Sequence, residues 1–119
     1  MKDKKTAHID KRAIIGKNVI IYENNRIEGA SVIEDNVTIF PNSLITNSII
    51  GKGSKIYTSI IENSKIGKCC AVGPFSHIKK SVIESYLKVG AFSEIKSSVV
   101  KESSLVRAGS IIENNTNIK

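Results

Sequence analysis

The sequence predicts an all-β fold, a single-stranded parallel β-helix of about six coils, and three observations predict it. An Ile or Val returns every five or six residues from Ile9 to Ile118. The residue two places before it is nearly always small, most often serine. The shortest steps recur at every third repeat rather than at random.

One aliphatic residue per repeat marks positions 9, 15, 21, 27, 33, 39, 45, 50, 56, 61, 66, 72, 78, 83, 89, 95, 100, 106, 112 and 118. Fourteen of the steps between them are six residues and five are five residues. A six-residue period with one strand per repeat is the pattern of a hexapeptide solenoid, three strands to a coil. A residue and its i−2 neighbour share one side of a strand. Each repeat therefore sends one small and one β-branched side chain inward, and the residue between them faces out. Asn25 and Leu87 are the exceptions among the small positions. β-branched residues also suit strands and disfavour helices.

Taken along the chain, residues 1–8 read as a basic N-terminal tail and residues 9–119 as the β-helix. Lys2, Lys4, Lys5, Lys11 and Arg12 crowd the start, and such a run is ordinarily a solvated segment. In the helix, four of the five short steps begin at Ile45, Ile61, Ile78 and Ile95, one side of a three-sided prism. Each keeps its inward serine (Ser48, Ser64, Ser81, Ser98), so the missing residue comes out of the corner and that edge is the tight one. The outward residues of one face are Ile14, Val32, Ile49, Lys65, Val82 and Val99, an apolar stripe broken once. A contiguous exposed apolar strip marks an interface, so Ile14, Val32, Ile49, Val82 and Val99 are expected to mediate self-association. The other two faces are mixed. The asparagines at 114, 115 and 117 suit a polar cap at the end of the solenoid.

Composition narrows the function. The net charge is +7, yet there are only three Phe and three Tyr and no Trp. Nucleic-acid domains interleave their basic patch with stacking aromatics, so no nucleic-acid partner is expected. No run approaches the ~20 apolar residues of a membrane span, and the charged start has no apolar run behind it to form a signal peptide. Cys69 and Cys70, adjacent and alone, build neither a disulfide framework nor a zinc site. A cytoplasmic protein without metal or membrane contact follows.

The stretch Ile61–Val100 holds the residues that look chemical. Val72-Gly73-Pro74-Phe75 is answered 17 residues later by Val89-Gly90-Ala91-Phe92, and Lys79 by Lys96. The two lysines should stack ~5 Å apart on adjacent coils. Their column reads Glu62, Lys79, Lys96, Glu113, which is either a self-neutralising charge ladder or an anion site, lysine suiting phosphate as a point charge. His77 lies close by and is the candidate base of the repeat region. Phe75 with Phe92, and Tyr22 with Phe40 and Tyr57, should stack between coils. Cys70 falls at an inward position and Cys69 outside. There is no glycine-rich phosphate loop, paired carboxylate or metal-ligand spacing.

Between Asn47 and Val99 the chain resembles a known family. The motifs are N-S-I-I-G at Asn47–Gly51, I-E-N-S-K-I-G at Ile61–Gly67, V-G-P-F-S-H-I-K at Val72–Lys79 and V-G-A-F-S-E-I-K at Val89–Lys96. They are similar to the hexapeptide-repeat C-terminal domain of the bifunctional N-acetylglucosamine-1-phosphate uridyltransferase/glucosamine-1-phosphate acetyltransferases. The resemblance implies left-handed winding, against the usual right-handed crossover rule. It implies a homotrimer, with Lys79 and Lys96 where the family holds a sugar phosphate between subunits, and acetyl-CoA as a possible cofactor. The departures are as informative. Lys79 replaces an arginine and loses its bidentate geometry; Lys80 replaces a proline and Ala91 an asparagine. Where the family has its catalytic histidine, Ser104-Leu105-Val106-Arg107-Ala108-Gly109 has neither His nor Tyr. Nor does the sequence run on into the coils that bind acetyl-CoA in the family. Loss of a general base alone slows such chemistry by roughly 10²–10⁴-fold.

The expected function is therefore a sugar-phosphate or anion site related to UDP-N-acetylglucosamine synthesis, without full acetyltransferase activity. The alternatives are a structural or oligomerisation module partnering a separate sugar nucleotidyltransferase, and an acetyl-CoA-dependent acyltransferase with His77 as relocated base.

Overall fold

The structure, a computed structural model, describes residues 7–102 and 104–114. Lys2, Lys4 and Lys5 of the basic start and Asn115, Asn117 and Ile118 at the other end lie outside the described residues. The first coil is β1 (His8–Ile9), β2 (Ile14–Ile15) and β3 (Ile20–Ile21). The second is β4 (Arg26–Glu28), β5 (Val32–Ile33) and β6 (Thr38–Ile39), and the third β7 (Leu44–Thr46), β8 (Ile49–Ile50) and β9 (Lys55–Ile56). The fourth is β10 (Ile60–Glu62), β11 (Lys65–Ile66) and β12 (Ala71–Val72); the fifth is β13 (His77–Lys79), β14 (Val82–Ile83) and β15 (Lys88–Val89). β16 (Glu94–Lys96) and β17 (Val99–Val100) follow, then a single bridge from Val89 to Val106, and β18 (Ile111–Glu113) opens a further coil.

Strands one coil apart pair in parallel, giving three sheets of seven, six and five strands around a prism of 39 × 21 × 20 Å. The coils wind left-handed. Sheet membership follows the sequence register: Ile61 pairs with Ile45 and Ile78, and Ile66 with Ile50 and Ile83. Every aliphatic mark from Ile21 to Val106 is buried, while Ile9, Ile15 and Ile112 at the two ends are half-covered. The first strand starts at His8, paired with Arg26, so the last residue of the expected tail already belongs to the sheet. Beside it Arg12 grips Asp10 through Nε and Nη2 at 3.2 and 3.0 Å, which holds that carboxyl well below the usual range.

The inward serines do more than leave space. At two of the three corners the backbone N–H of the small residue turns into the prism, away from the sheet carbonyls. The hydroxyl of the preceding coil's serine accepts it: Ser48 N–H donates to Ser31 Oγ, Ser64 to Ser48, Ser81 to Ser64 and Ser98 to Ser81, each at 3.1 Å. From Ser48 onward each hydroxyl then donates to the carbonyl two residues back, as Ser48 does to Thr46 and Ser64 to Glu62. A second column, Ser43, Ser59, Ser76 and Ser93, accepts the N–H groups in the same way at the next edge. Its hydroxyls donate variously, Ser59 to Tyr57 of its own turn and Ser76 and Ser93 to the carbonyls of Gly90 and Arg107. Asn25 heads that column. Its Oδ1 accepts the Ser43 N–H at 2.7 Å and its Nδ2 donates to Tyr22 and Ile39 carbonyls. The exception in the pattern performs the same task with a longer arm. The third edge is filled instead by Val19, Val37, Ser54, Cys70 and Leu87, all buried.

The residue before each small position carries the reversal. Asn24, Asn36, Asn42, Asn47 and Asn63 lie at φ between 48 and 64°, or 45° for Asn47, in the left-handed region that asparagine tolerates. At the tight edge two residues rather than three separate the inward pair, as the short steps require. Glycine serves where coils crowd: a Cβ on Gly67 would sit 2.6 Å from the Ser85 backbone nitrogen.

Replacing Ser48 by alanine removes the acceptor of the Ser64 N–H and leaves that buried donor unpaired. The expected cost is roughly 1–3 kcal/mol, measured by urea denaturation with an unchanged m-value. A loss below about 0.5 kcal/mol would mean that the ladder is not a source of stability.

Candidate functional site

Lys79 and Lys96 are Cα partners on β13 and β16, both at the outward end of the first sheet beside the tight edge. The column is as the spacing requires, with Glu62 opposite Lys79 and Glu113 opposite Lys96. The side chains do not follow it. The Glu62 carboxylate turns to His77, Oε1 to Nε2 at 2.8 Å, and Lys96 Nζ lies 3.3 Å from Glu94 Oε2 on its own strand. Lys79 is left without an ion pair among the described residues. The vertical charge ladder is thus not formed, and one of its two lysines is unneutralised.

His77 is on the same strand as Lys79, two residues before it. Both side chains face out from that strand, ~6.6 Å apart along it. The imidazole is half-buried at 34% exposure, as is Glu62 at 31%. With the carboxylate accepting from Nε2–H, Nδ1 is the nitrogen left with a free lone pair. Sequence reasoning placed His77 near Lys79 and set Glu62 in the lysine column; it missed the Glu62–His77 pair and gave Glu94 no role. The signal was available in part, since Ile60–Glu62 and His77–Lys79 share a register in which the diagonal, though longer than a rung, is within reach of long side chains.

Lys80 occupies the tight corner at φ 50°. Proline, whose ring fixes φ near −65°, is excluded from that conformation, so the corner differs in backbone from one built with proline. Around it, Asn47, Ile49, Asn63, Ser64, Lys65, Lys80, Ser81 and Val82 line a depression of about 450 Å³ on the second sheet.

That second sheet is the apolar face. Ile14 is 64% exposed and Ile49 and Val82 38% each, with Val32 and Val99 half-buried and Lys65 exposed between them. Ile20 at 40% and Ile60 at 39% show that isolated exposed aliphatics occur on the other faces too. What distinguishes the second sheet is continuity from coil to coil. The stacks expected between coils are present: Tyr22–Phe40 and Phe40–Tyr57 at 5.3 and 4.5 Å, and Phe75–Phe92 at 5.2 Å. No cluster of three potential metal ligands occurs among the described residues, and no helix there is long and apolar enough to cross a membrane.

A family model described as GlmU-like, C-terminal hexapeptide, matches residues 41–118. The chain belongs to that family. The GlmU-like domain is 44% identical over 77 residues to the bifunctional protein GlmU of Clostridium botulinum, covering 65% of this chain and 17% of that protein. The Synechococcus elongatus protein of the same name is 41% identical over 71 residues, 60% of this chain and 16% of its own length. The chain thus spans about one sixth of the length of these relatives. In fold it is similar to a candidate acetyltransferase of Bacillus cereus, with a TM-score of 0.75 at 22% identity over 96% of this chain and 73% of that one.

In this GlmU-like domain Cys70 is buried, its Sγ donating to the Glu84 carbonyl at 3.2 Å, and burial pushes the thiol above its usual range. Cys69 is exposed at the adjacent corner. A thiol reagent at neutral pH should label one cysteine quickly, the second only after unfolding. Equal rates, or a fast Cys69→Ser variant, would contradict the burial.

Proposed function

We propose that this GlmU-like domain binds a small phosphorylated anion, a sugar phosphate by resemblance, at Lys79 and Lys96, without full acetyltransferase activity of its own. The observation behind it is the unneutralised ammonium of Lys79 directly across the ladder from Lys96. A phosphate between them relieves the repulsion of two like charges, and charge-assisted hydrogen bonds to a phosphate contribute about 1.5–3 kcal/mol each. Two such bonds on an open face correspond to a Kd of roughly 0.1–10 mM. Calorimetric titration with glucosamine-1-phosphate should show binding that a Lys79→Ala/Lys96→Ala variant loses. Binding that survives the double variant would refute the site, and no binding of sugar phosphate or acetyl-CoA would leave a structural module docking to a separate nucleotidyltransferase.

The assembly is a homotrimer through the second sheet, in the cytoplasm. Its support is the unbroken run of Val82 and Val99 below Lys65, and of Ile14, Val32 and Ile49 above it, beside the lysine edge. Light scattering at micromolar concentration should give about three times the 13.0 kDa chain mass, and Val82→Asp should shift it toward monomer. A wild-type monomer would overturn the assembly.

The Glu62–His77 hydrogen bond favours a second function, acyl transfer from acetyl-CoA with Nδ1 of His77 taking the acceptor amine's proton. Turnover of acetyl-CoA with an amino sugar phosphate, abolished in His77→Asn, would establish it. The absence of any turnover would remove it.

A further inference from the structure

The corner leading into the first sheet holds one column of residues, Thr58, Phe75, Phe92 and Gly109, each next to an inward serine. In earlier coils that position is Asn24 and Asn42. Asparagine accepts a positive φ at little cost, whereas a bulky aromatic there is an outlier. Phe75 and Phe92 nevertheless sit at φ 61 and 58°. They are also 60 and 67% exposed, so core burial does not compensate them. Tyr86 at the third edge shares this conformation (φ 64°) and is likewise exposed, as a single ring; what sets Phe75 and Phe92 apart is that two such aromatics follow one another on successive coils.

The two rings stack at 5.2 Å with 21° between their planes. The next position in the column is Gly109, whose N–H is held by the Ala91 carbonyl at 2.8 Å, and a Cβ built on it meets nothing within 4 Å. The outer face of Phe92 therefore looks onto an open slot one coil high, ~4.8 Å, the thickness of one further ring. Arg107 is exposed in the same corner, without an ion pair among the described residues. From Phe92 the strand runs outward through Glu94 and Lys96, with Lys79 beside Lys96. Phe92 to Lys96 spans four residues, ~13 Å.

We infer that this corner is a stacking subsite and that the ligand is a nucleoside diphosphate. The base continues the Phe75–Phe92 stack above Gly109, Arg107 lies beside it, and the ribose hydroxyls meet the Glu94 carboxylate. The phosphates reach Lys96 and Lys79. Glu113, opposite Lys96 one coil on, bars the phosphates from moving further that way. The phosphate end rests on the lysine site proposed above, and the ring end rests only on Phe92 and Gly109.

Calorimetry on the full chain with ADP and with inorganic pyrophosphate tests both ends. ADP should bind at least about fivefold tighter, the yield of one base–aromatic stack. Phe92→Ala should reduce ADP to the pyrophosphate affinity and leave pyrophosphate unchanged. Gly109→Phe puts a third ring in the slot and should have the same effect on ADP; at φ 77° the new side chain is strained and lowers the melting temperature, so retained pyrophosphate binding is the check that the domain is still folded. ADP no tighter than pyrophosphate, or an ADP advantage that persists in Gly109→Phe, would overturn the stacking subsite while leaving the lysine site standing. Absence of pyrophosphate binding, with adenosine still giving ligand-observed NMR contacts that Phe92→Ala removes, would overturn the lysine site and the diphosphate assignment but support the stack.

Discussion

The structure depends on satisfying backbone groups that turn inward at the corners of a narrow prism. A coil of about 17 residues has three reversals, and at two of them an N–H turns toward the interior away from the sheet carbonyls. An unpaired buried donor costs about as much as a typical stabilising mutation recovers. Serine answers this: small enough for the corner, accepting one N–H from the next coil and donating to a carbonyl of its own turn, as Ser64 does, or to one about 14 residues on, as Ser76 does. The requirement explains why the small positions are mostly serine rather than alanine, and why the one asparagine among them heads a column. It also couples coils end to end, since each hydroxyl belongs to the hydrogen bonds of two turns.

The tight edge follows from the same geometry. Once serine fixes the inward point, the loop outside it can be two residues or three, and from the third coil onward the first edge uses two. A shorter corner brings the outward residues of adjoining strands close to the edge itself. Lys79, Lys96, Glu62 and the corner Lys80 are presented there together, beside the start of the apolar sheet. The arrangement that makes an anion site conceivable is thus a by-product of how the corner closes, and the charges were placed upon it.

Much of this was legible in the sequence because the period assigns every residue a coil, a face and an inward or outward sense. The three sheets, the buried Ile and Val, the aromatic stacks, the Lys79–Lys96 rung and the positions of Cys69 and Cys70 all follow from that. What the period does not specify is where long side chains go once outside. Glu62 could meet Lys79 on the rung or His77 on the diagonal, and Lys96 could meet Glu113 or Glu94. Such choices turn on a few ångströms of side-chain reach, which register leaves open. The hydroxyl ladder was also missed, since counting small residues treats serine and alanine alike.

Inward and outward positions are nearly independent in such a solenoid, and that limits what kinship implies. The inward set, Ile, Val and Ser, fixes the fold. The outward set touches solvent and can change at little cost to stability, so chemistry can be lost, moved or replaced on an unchanged prism. The segment Ser104–Gly109 illustrates this: Val106 stays buried and bridged to Val89 while Leu105 and Arg107 face out with no imidazole among them. The outward features that remain unexplained by folding are therefore the informative ones. The Phe75–Phe92 stack joins two coils at the cost of a positive φ at each ring, and Lys79 has no ion pair among the described residues. They lie together on one face of the prism, at β13 and β16, where the register of the coils alone does not account for them.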